Sequence, residues 1–583
     1  MKMDSRDTHR SASGVSVLPA SAARPRPWLP MAIFIALAAL GVGLRWFELG
    51  RQSLWFDEGY SAWVATLSPA HIVAVIANDV SPPLYYLLLH GWTRCFGESE
   101  TALRAFSALA GTVALCIFMD LALRLTSSWP ARIMAIALFA FSPLAVQFSQ
   151  EARSYSLSAM FALGALWGMF VFLDQNKPRP FMIALVCAGA SVWLHNMMWF
   201  YLAALNAAWL LSPSRLSPRA RLLSLVLLDV IVVAAYLPWV PSLLGQMRWL
   251  KGNFWATVPS LNSLKEVLGL IAGSNLYYIS SLCHALRVPG IIGPATQAAM
   301  WISAGLLLLA PFGHGHDPRR HEALRTGASS TVGNGAIIPS FSSPLEEVGR
   351  GSQSARDMEV APVELIRTVD DVTALWRLTA LVAFAILPVL AVFIHAQSGQ
   401  SYFIVKIFAT SALVFPLAIA MAADRFPIRR VGRFLGLVLL TASLVSTWGY
   451  FRWDVKEDWR GASRYVNTVD RKGTLVVFLA NEGEYLYDYY CRRDGVAPLA
   501  RTGLPQSFFD LTPPRTIQRV KSVADMDRLA RRIDADQISR VVLVLSHTSW
   551  SDPANLATTY LDQHFTLGNT KPFALVEVRE YSK

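Results

Sequence analysis

Leu84-Tyr85-Tyr86-Leu87-Leu88-Leu89-His90-Gly91-Trp92-Thr93-Arg94-Cys95-Phe96 decides the fold. Everything that follows it changes side of a membrane according to whether this stretch crosses. It is apolar but only about 13 residues long, against the roughly 20 needed to span a hydrocarbon core. The reading adopted here is a helix lying in, or dipping into, the interface. The chain around it is built for a bilayer. Of its 583 residues 54% are hydrophobic and only 16% charged, and the mean hydropathy is +0.38. Soluble globular chains carry about 25% charged residues. The net charge of +12 fits Lys and Arg gathered in cytoplasmic loops. No nucleic-acid-binding module accompanies it, so nucleic acid is not expected as a partner.

Outward from Leu84, the chain holds about eleven apolar spans: Trp28 to Leu44, Ala105 to Leu123, Ile133 to Phe148, Leu157 to Leu173, Phe181 to Leu194, Met197 to Leu211, Leu222 to Trp239, Ala295 to Phe312, Leu378 to Ile394, Phe403 to Ala422 and Phe434 to Tyr450. The first reads as an uncleaved anchor, in preference to a signal peptide cut near Ala36-Leu37-Ala38. Basic residues mark alternate loops: Arg124 and Arg132, Lys177 and Arg179, Arg215 with Arg219 and Arg221, Arg319 with Arg320 and Arg325, and Arg425 with Arg429, Arg430 and Arg433. The positive-inside rule then puts the N-terminus in the cytoplasm and the C-terminal region outside. A crossing at Leu84 to Phe96 would break this alternation for every later loop.

The expected organisation has five parts. Residues 1–27 form a disordered cytoplasmic tail. Residues 28–451 form the transmembrane domain. Within it, 45–104 is the first outer loop with interfacial helices (Pro69 to Ala77 being one), and 313–371 is a disordered cytoplasmic insert. Residues 452–583 form a small α/β domain on the outer face, with strands at Thr474 to Ala480 and Val541 to Leu545 and a helix at Val523 to Ile533. This domain lacks a phosphate-loop glycine pattern and is expected to serve binding or support. His314, His316 and His321 read as solvated residues of the insert. The five cysteines, Cys95, Cys116, Cys187, Cys283 and Cys491, show no disulfide or zinc spacing.

Four polar features fall on the outer side of this topology. They are Asp57-Glu58, flanked by Trp55, Phe56 and Tyr60; Gln150-Glu151-Ala152-Arg153-Ser154-Tyr155; His195-Asn196; and Lys406. Charge at the edge of a bilayer is costly unless partnered or hydrated. A carboxylate can take a proton from an attacking hydroxyl, and Arg and Lys can hold a leaving phosphate. A phosphate at this interface, on a chain without a nucleotide fold, would belong to a lipid. From the residues alone this chemistry stands beside a plainer reading, a hydrated network of Asp57, Glu58, Glu151 and Arg153 pairing with one another. His195 alone also fits a hydrogen-bonded turn residue, and Lys406 a snorkelling helix end. Asp229, deep in its span, is expected to bond to a neighbouring helix.

Ser53-Leu54-Trp55-Phe56-Asp57-Glu58, Pro82-Pro83-Leu84-Tyr85-Tyr86, Ser149-Gln150-Glu151-Ala152-Arg153-Ser154-Tyr155 and Lys456-Glu457-Asp458-Trp459-Arg460-Gly461 resemble, in that order, motifs of the bacterial branch of the protein O-mannosyltransferase and aminoarabinose-transferase superfamily. These are membrane glycosyltransferases of the GT-C fold, in glycosyltransferase family 39. The resemblance implies an inverting transfer of a sugar from a polyprenyl-phosphate-linked donor to an acceptor at the outer face of the cytoplasmic (inner) membrane. The acceptor is a protein, a lipid or a glycan. Carried over, it makes Asp57 the general base or acceptor-orienting group, with Glu58 beside it. It puts Arg153 and Lys406 at the donor phosphate, with Gln150, Glu151, Tyr155 and His195 shaping that side. At position 406 many relatives have Arg followed by Tyr; here Lys406-Ile407 keeps the charge without the bidentate fork. No metal or cofactor is called for. The runner-up functions are a transporter or flippase for a lipid-linked or small polar substrate, and a membrane scaffold that binds through its outer domain.

Overall fold

The computed structural model describes residues 28–214, 216–251, 256–285, 292–309, 360–399, 401–453, 456–511 and 519–583, with the backbone alone for 292–293 and 360–370. The expected tail at 1–27, the three histidines His314, His316 and His321, and residues 313–359 of the expected insert lie outside the described residues.

The chain is a polytopic helical membrane protein with a small C-terminal sheet. Among the described residues seven helical stretches are long and apolar enough to cross a bilayer: Leu29–Trp46, Glu100–Leu125, Tyr155–Gln175, Pro218–Leu250, Asp371–Ala396, Val405–Arg425 and Arg429–Arg452. A bent pair, Trp129–Ala140 and Pro143–Ser149, makes an eighth at an angle of 49°. The break falls at Ser142-Pro143. Proline has no amide hydrogen to continue the ladder and pushes the residue before it out of the helical region. The Ser142 hydroxyl recaps the second half by accepting the Ala145 amide at 3.4 Å. Three shorter apolar helices, Pro178–Leu194, Met198–Leu210 and Pro294–Leu309, fall on the remaining expected spans.

Tyr155–Gln175 and Val405–Arg425 form the centre of the bundle: 83% and 89% of the residues in their apolar 18-residue stretches are buried. Gly168 lets Pro178–Leu194 approach its neighbour, since a Cβ there would stand 2.6 Å from the Ala184 nitrogen. Asp229 meets the expected partner on a neighbouring helix. The Asn206 amide donates to both its oxygens at 3.0 and 2.8 Å.

Leu84–Phe96 is a separate 13-residue helix, followed by Gly97 at φ 82°. It buries Tyr85, Tyr86, Leu89 and Thr93 and leaves Leu88 and Phe96 exposed. It packs between Phe56–Thr66, Pro69–Ile76 and the first turns of Glu100–Leu125. The last residues of 313–371 are helical, because Val360–Ala396 is one helix of 37 residues. Extending an existing helix costs far less than nucleating one, so the span propagates back into the polar stretch.

The C-terminal sheet has five strands: β1 (Thr474–Leu479), β2 (Arg501–Gly503), β3 (Arg540–Leu545), β4 (Thr566–Phe573) and β5 (Val576–Ser582), in the order β2-β1-β3-β5-β4. β1 is parallel to β2 and β3; β5 runs antiparallel to β3 and β4. Helices cover both faces, so β1 reads as a continuous apolar run rather than an alternating one. One face of the sheet joins the membrane core itself. Val476, Phe478, Tyr485, Leu486 and Trp459 belong to the same buried cluster as Leu54 and Tyr60. Gly59 allows this contact, as a Cβ there would lie 2.3 Å from Leu486 Cδ2. The Tyr490 hydroxyl accepts the Leu54 amide at 2.7 Å and donates to Glu100 at 2.6 Å.

Candidate active site

The site begins at the first turn of Phe56–Thr66, whose N-cap Trp55 is extended. Acids here face the positive end of the helix dipole. Successive helical residues point about 100° apart. Asp57 and Glu58 therefore leave the helix in different directions and meet different partners.

Glu58 is wholly enclosed. Its Oε1 accepts from Arg104 Nε at 2.7 Å and from the Ala152 amide at 3.0 Å. Its Oε2 accepts from Arg104 Nη2 at 2.6 Å and Lys456 Nζ at 3.1 Å. Arg104 spends its other donors on the carbonyls of Leu49, Gln52 and Ser53, at 2.7, 2.7 and 2.9 Å. Burial pushes the Glu58 carboxyl up, but Arg104 and Lys456 outweigh it and hold it well below the usual range. No face of this carboxylate is left for a substrate.

Asp57 is different. Its side chain is 32% exposed and pairs with Lys406, Nζ to Oδ2, at 2.7 Å. Lys406 sits 3.7 Å above the Trp55 ring, a cation–π contact that fixes the ammonium between ring and carboxylate. Burial acts to raise the Asp57 carboxyl, and the cations Lys406 and Arg153 bring it down to about 2. Arg153 does not reach the Asp57 carboxylate. Its Nη1 donates to the Tyr86 hydroxyl at 3.0 Å and, at 3.4 Å each, to the Asp57 carbonyl and Ser61 Oγ. Its Nε is buried with no protein acceptor. The guanidinium thus stands beside Asp57 with donor capacity to spare.

The other expected site residues fall into two groups. Tyr155 and His195 line the Arg153 side: the Tyr155 ring lies 5.9 Å from the guanidinium carbon and 6.0 Å from the His195 ring. His195 caps the end of Pro178–Leu194, and its Nδ1 accepts the Met197 amide at 3.2 Å. Burial, with Arg153 nearby, pulls its pKa down to about 4, so the ring is neutral. Gln150 instead ties the chain to the first helix, donating to the carbonyls of Leu44 and Phe47 at 2.9 and 2.7 Å. Glu151 takes the Gln147 amide at 2.9 Å, and its Oε2 is buried without a partner; burial raises its pKa.

Three neighbours of the site carried no signal of their own in the sequence. Asp79, between Pro69–Ile76 and Leu84–Phe96, is raised to about 6 by burial, against the pull of Arg153. Glu457 is buried and accepts from Trp459 Nε1 at 2.7 Å; burial lifts it to about 7. His547, two residues past β3, puts its Nε2 3.3 Å from Glu457 and stacks on Phe56 with ring centroids 4.5 Å apart. Glu457 lies within a motif already singled out. His547 stands 490 positions from Asp57 in the chain, and no spacing rule links them.

The basic loops at 124–132, 177–179 and 425–433 lie at the opposite end of the bundle. There Arg377 pairs with Asp174 at 2.7 Å, and Ser128 donates to Asp424 at 2.5 Å.

Residues 80–239 match the family model of dolichyl-phosphate-mannose-protein mannosyltransferases. This stretch contains Pro82 to Tyr86 and Ser149 to Tyr155, but not Asp57 or Lys406. The chain is also similar to the crystal structure of ArnT from Cupriavidus metallidurans bound to undecaprenyl phosphate, with a TM-score of 0.46 and 11% identity over 95% of this chain and 98% of that one. For the same protein in the apo state the values are 0.43 and 13%, over 94% and 97%. For a mutant of the arabinofuranosyltransferase AftD from Mycobacteria they are 0.41 and 16%, over 94% of this chain and 41% of that one. No curated protein sequence matches the chain. The match over 80–239 bears out the resemblance drawn from the motifs: this membrane protein is related to membrane glycosyltransferases.

Proposed function

We propose that the chain transfers a sugar from a polyprenyl-phosphate-linked donor to an acceptor hydroxyl, by inversion, at the outer face of the cytoplasmic membrane. The observation that carries this is the Asp57–Lys406 pair at 2.7 Å with the under-used Arg153 beside it. An acceptor hydroxyl set against Asp57 gives its proton to the carboxylate as its oxygen bonds to the anomeric carbon. The bond from that carbon to the phosphate oxygen breaks on the opposite face. The electron pair leaves with the phosphate, whose charge Lys406 and Arg153 receive. Lys406 has a double role. In the free protein it neutralises Asp57; with donor bound it is shared with the phosphate, and Asp57 becomes a better base. Glu58 acts through Asp57, as a positioning residue whose clamp fixes the first turn.

The outer orientation is supported by the basic loops at the end of the bundle away from Asp57. The 452–583 unit then lies on Asp57's side, outside, and the chain begins in the cytoplasm.

The test is reconstitution in proteoliposomes with a panel of radiolabelled undecaprenyl-phosphate sugars and membrane-extracted acceptors. Transfer by the wild type, lost in Asp57→Asn and in Lys406→Ala, is expected. Absence of transfer from every donor, or full-rate transfer by Asp57→Asn, overturns the assignment. In the same vesicles His547→Cys should react with an impermeant maleimide from the side opposite to Arg433→Cys.

A further inference from the structure

The first turn of Phe56–Thr66 has no cap of its own. Trp55, at the N-cap, makes no side-chain hydrogen bond to it. The nearby Ser53 hydroxyl is engaged elsewhere, donating to the Leu54 carbonyl at 3.1 Å and accepting the Arg460 amide at 3.2 Å. A helix start leaves its first amides without backbone partners. Here the far end of the chain supplies one. The Glu457 carboxyl, in a residue only 4% exposed, faces the Phe56 amide. The Tyr485 hydroxyl, 429 positions along the chain from Phe56, donates to the Phe56 carbonyl at 3.2 Å.

The side chain of Phe56 is held as well. It packs on Trp459, with ring centroids 5.5 Å apart, and on His547, at 4.5 Å. Those two rings are tied to the same carboxyl. Trp459 Nε1 donates to Glu457 Oε2 at 2.7 Å, and His547 Nε2 lies 3.3 Å from Oε1. The other edge of the imidazole meets Ser546, Nδ1 to Oγ, at 3.1 Å. The amide, the carbonyl and the ring of one residue thus all meet the 452–583 unit. That residue is the one before Asp57, so where its backbone is set, the Asp57 carboxylate is set.

We infer that Glu457 is a positioning residue for Asp57: with Trp459, Tyr485 and His547 it grips Phe56 and so aims the carboxylate at the acceptor hydroxyl. The inference rests on the glycosyl-transfer function proposed above. Glu58 anchors the chain on one side of Asp57 and Phe56 anchors it on the other. A misplacement of about 1 Å in a reacting group can cost about a hundredfold in rate. The C-terminal unit therefore acts on catalysis through position, and the active site is incomplete without it.

The test uses the full chain in proteoliposomes, with the undecaprenyl-phosphate sugar and the acceptor on which the wild type is active. Glu457→Ala should lower kcat by about ten- to a hundredfold, while the donor KM stays within about twofold. Glu457→Gln keeps an acceptor for Trp459 and a donor for His547, and it should recover kcat to within about threefold of wild type. Tyr485→Phe keeps the ring and loses only the hydroxyl. It should lower kcat by about three- to tenfold, and it carries the test if Glu457→Ala does not fold. A second readout is the acidic limb of the pH–rate profile. Lys406, Arg153, Asp79, His547 and Glu457 are the titratable groups around Asp57. Glu457 titrates at about 7 and is neutral in the acidic range, so removing it takes no charge away there. A limb moved to higher pH in Glu457→Ala then reports a loosened Asp57–Lys406 pair. Wild-type kcat per folded molecule in both Glu457→Ala and Tyr485→Phe overturns the inference and leaves the transfer reading standing. So does a limb that stays in place, the mark of a merely structural role, and so does a loss that Glu457→Gln fails to recover. A wild type that transfers nothing overturns the transfer reading itself, and this inference with it.

Discussion

Two adjacent acids do different work because a helix turns between them. Glu58→Gln leaves Arg104 and Lys456 buried around a neutral amide. It should cost roughly 3 kcal/mol, the usual toll for breaking a buried ion pair, and lower the thermal midpoint of the detergent-solubilised protein. Asp57→Asn removes only a half-exposed partner of Lys406. Its thermal midpoint should stay near wild type while transfer falls by about a hundredfold or more. Swapped phenotypes would reverse the two roles. A second expectation concerns pH. Lys406 is the cation that contributes most to holding Asp57 down at about 2, against burial. In Lys406→Ala the Asp57 pKa should rise, so the acidic limb of the residual pH–rate profile moves to higher pH. A limb that stays put would mean that another group titrates there. The adjacency of Asp57 and Glu58 was legible in the sequence, as was the presence of Arg153 and Lys406 on the same side. The division between the two acids was not. It depends on where the helix starts and on partners 46, 349 and 398 positions away.

Among the elements, Leu84–Phe96 was readable because two independent signals agreed: its length and the charge of every later loop. The bend at Ser142-Pro143 hid inside a continuous apolar run, although the proline announces it in retrospect. The helical start at Val360 was hidden because polar composition resembles a loop until a neighbouring helix extends into it. The docking of the sheet on Phe56–Thr66 depends on the absence of a side chain at Gly59, and that is invisible without coordinates. Gly59→Ala would drive a methyl group to 2.3 Å from Leu486 Cδ2. It should cost about 1–3 kcal/mol, as overpacking does, and lower the thermal midpoint. Gly43→Ala is the control. Nothing lies within 4 Å of a Cβ there, and the helix should gain up to about 1 kcal/mol from alanine's propensity. Equal effects at the two positions would show that Gly59 is not a packing site.

At the scale of the molecule, membrane bundle and sheet share one buried core, and the groups at their junction make stability depend on pH. Glu457 and Glu484 are raised to about 7, and Asp79 to about 6, each chiefly by burial. A raised acid favours the folded state while protonated. Its contribution is complete below the unfolded value of about 4.3 for Glu and is lost as pH climbs through the folded one. Asp57 and Glu58 are depressed, so their contribution is complete above the unfolded values and lost as pH falls toward 2. Thermal midpoints should therefore be highest near pH 5 and drop by pH 8. Glu457→Gln, which cannot ionise beside Asp57, Lys406 and His547, should shrink that drop. A wild-type midpoint that rises from pH 5 to 8 would contradict the assignment. The polytopic helical character and the presence of the sheet were open to a reader of the sequence. The shared core was not, because it forms between segments that composition assigns to different solvents.

The order in which the chain is made gives the two lysines a further significance. Asp57 leaves the ribosome 349 residues before Lys406, and Glu58 leaves it 398 residues before Lys456. At roughly 5–20 residues per second, the acids wait some 20–80 s for these partners. Arg104 reaches Glu58 early and can hold the loop in outline. The early neighbour of Asp57 is Arg153, which does not reach its carboxylate. A nascent chain, or one stopped short of its tenth span, has an acid in place but no ammonium to receive a phosphate. On the transfer reading proposed above, unfinished copies lack one of the two cations that would receive the phosphate, and the pair is complete only in the last third of synthesis.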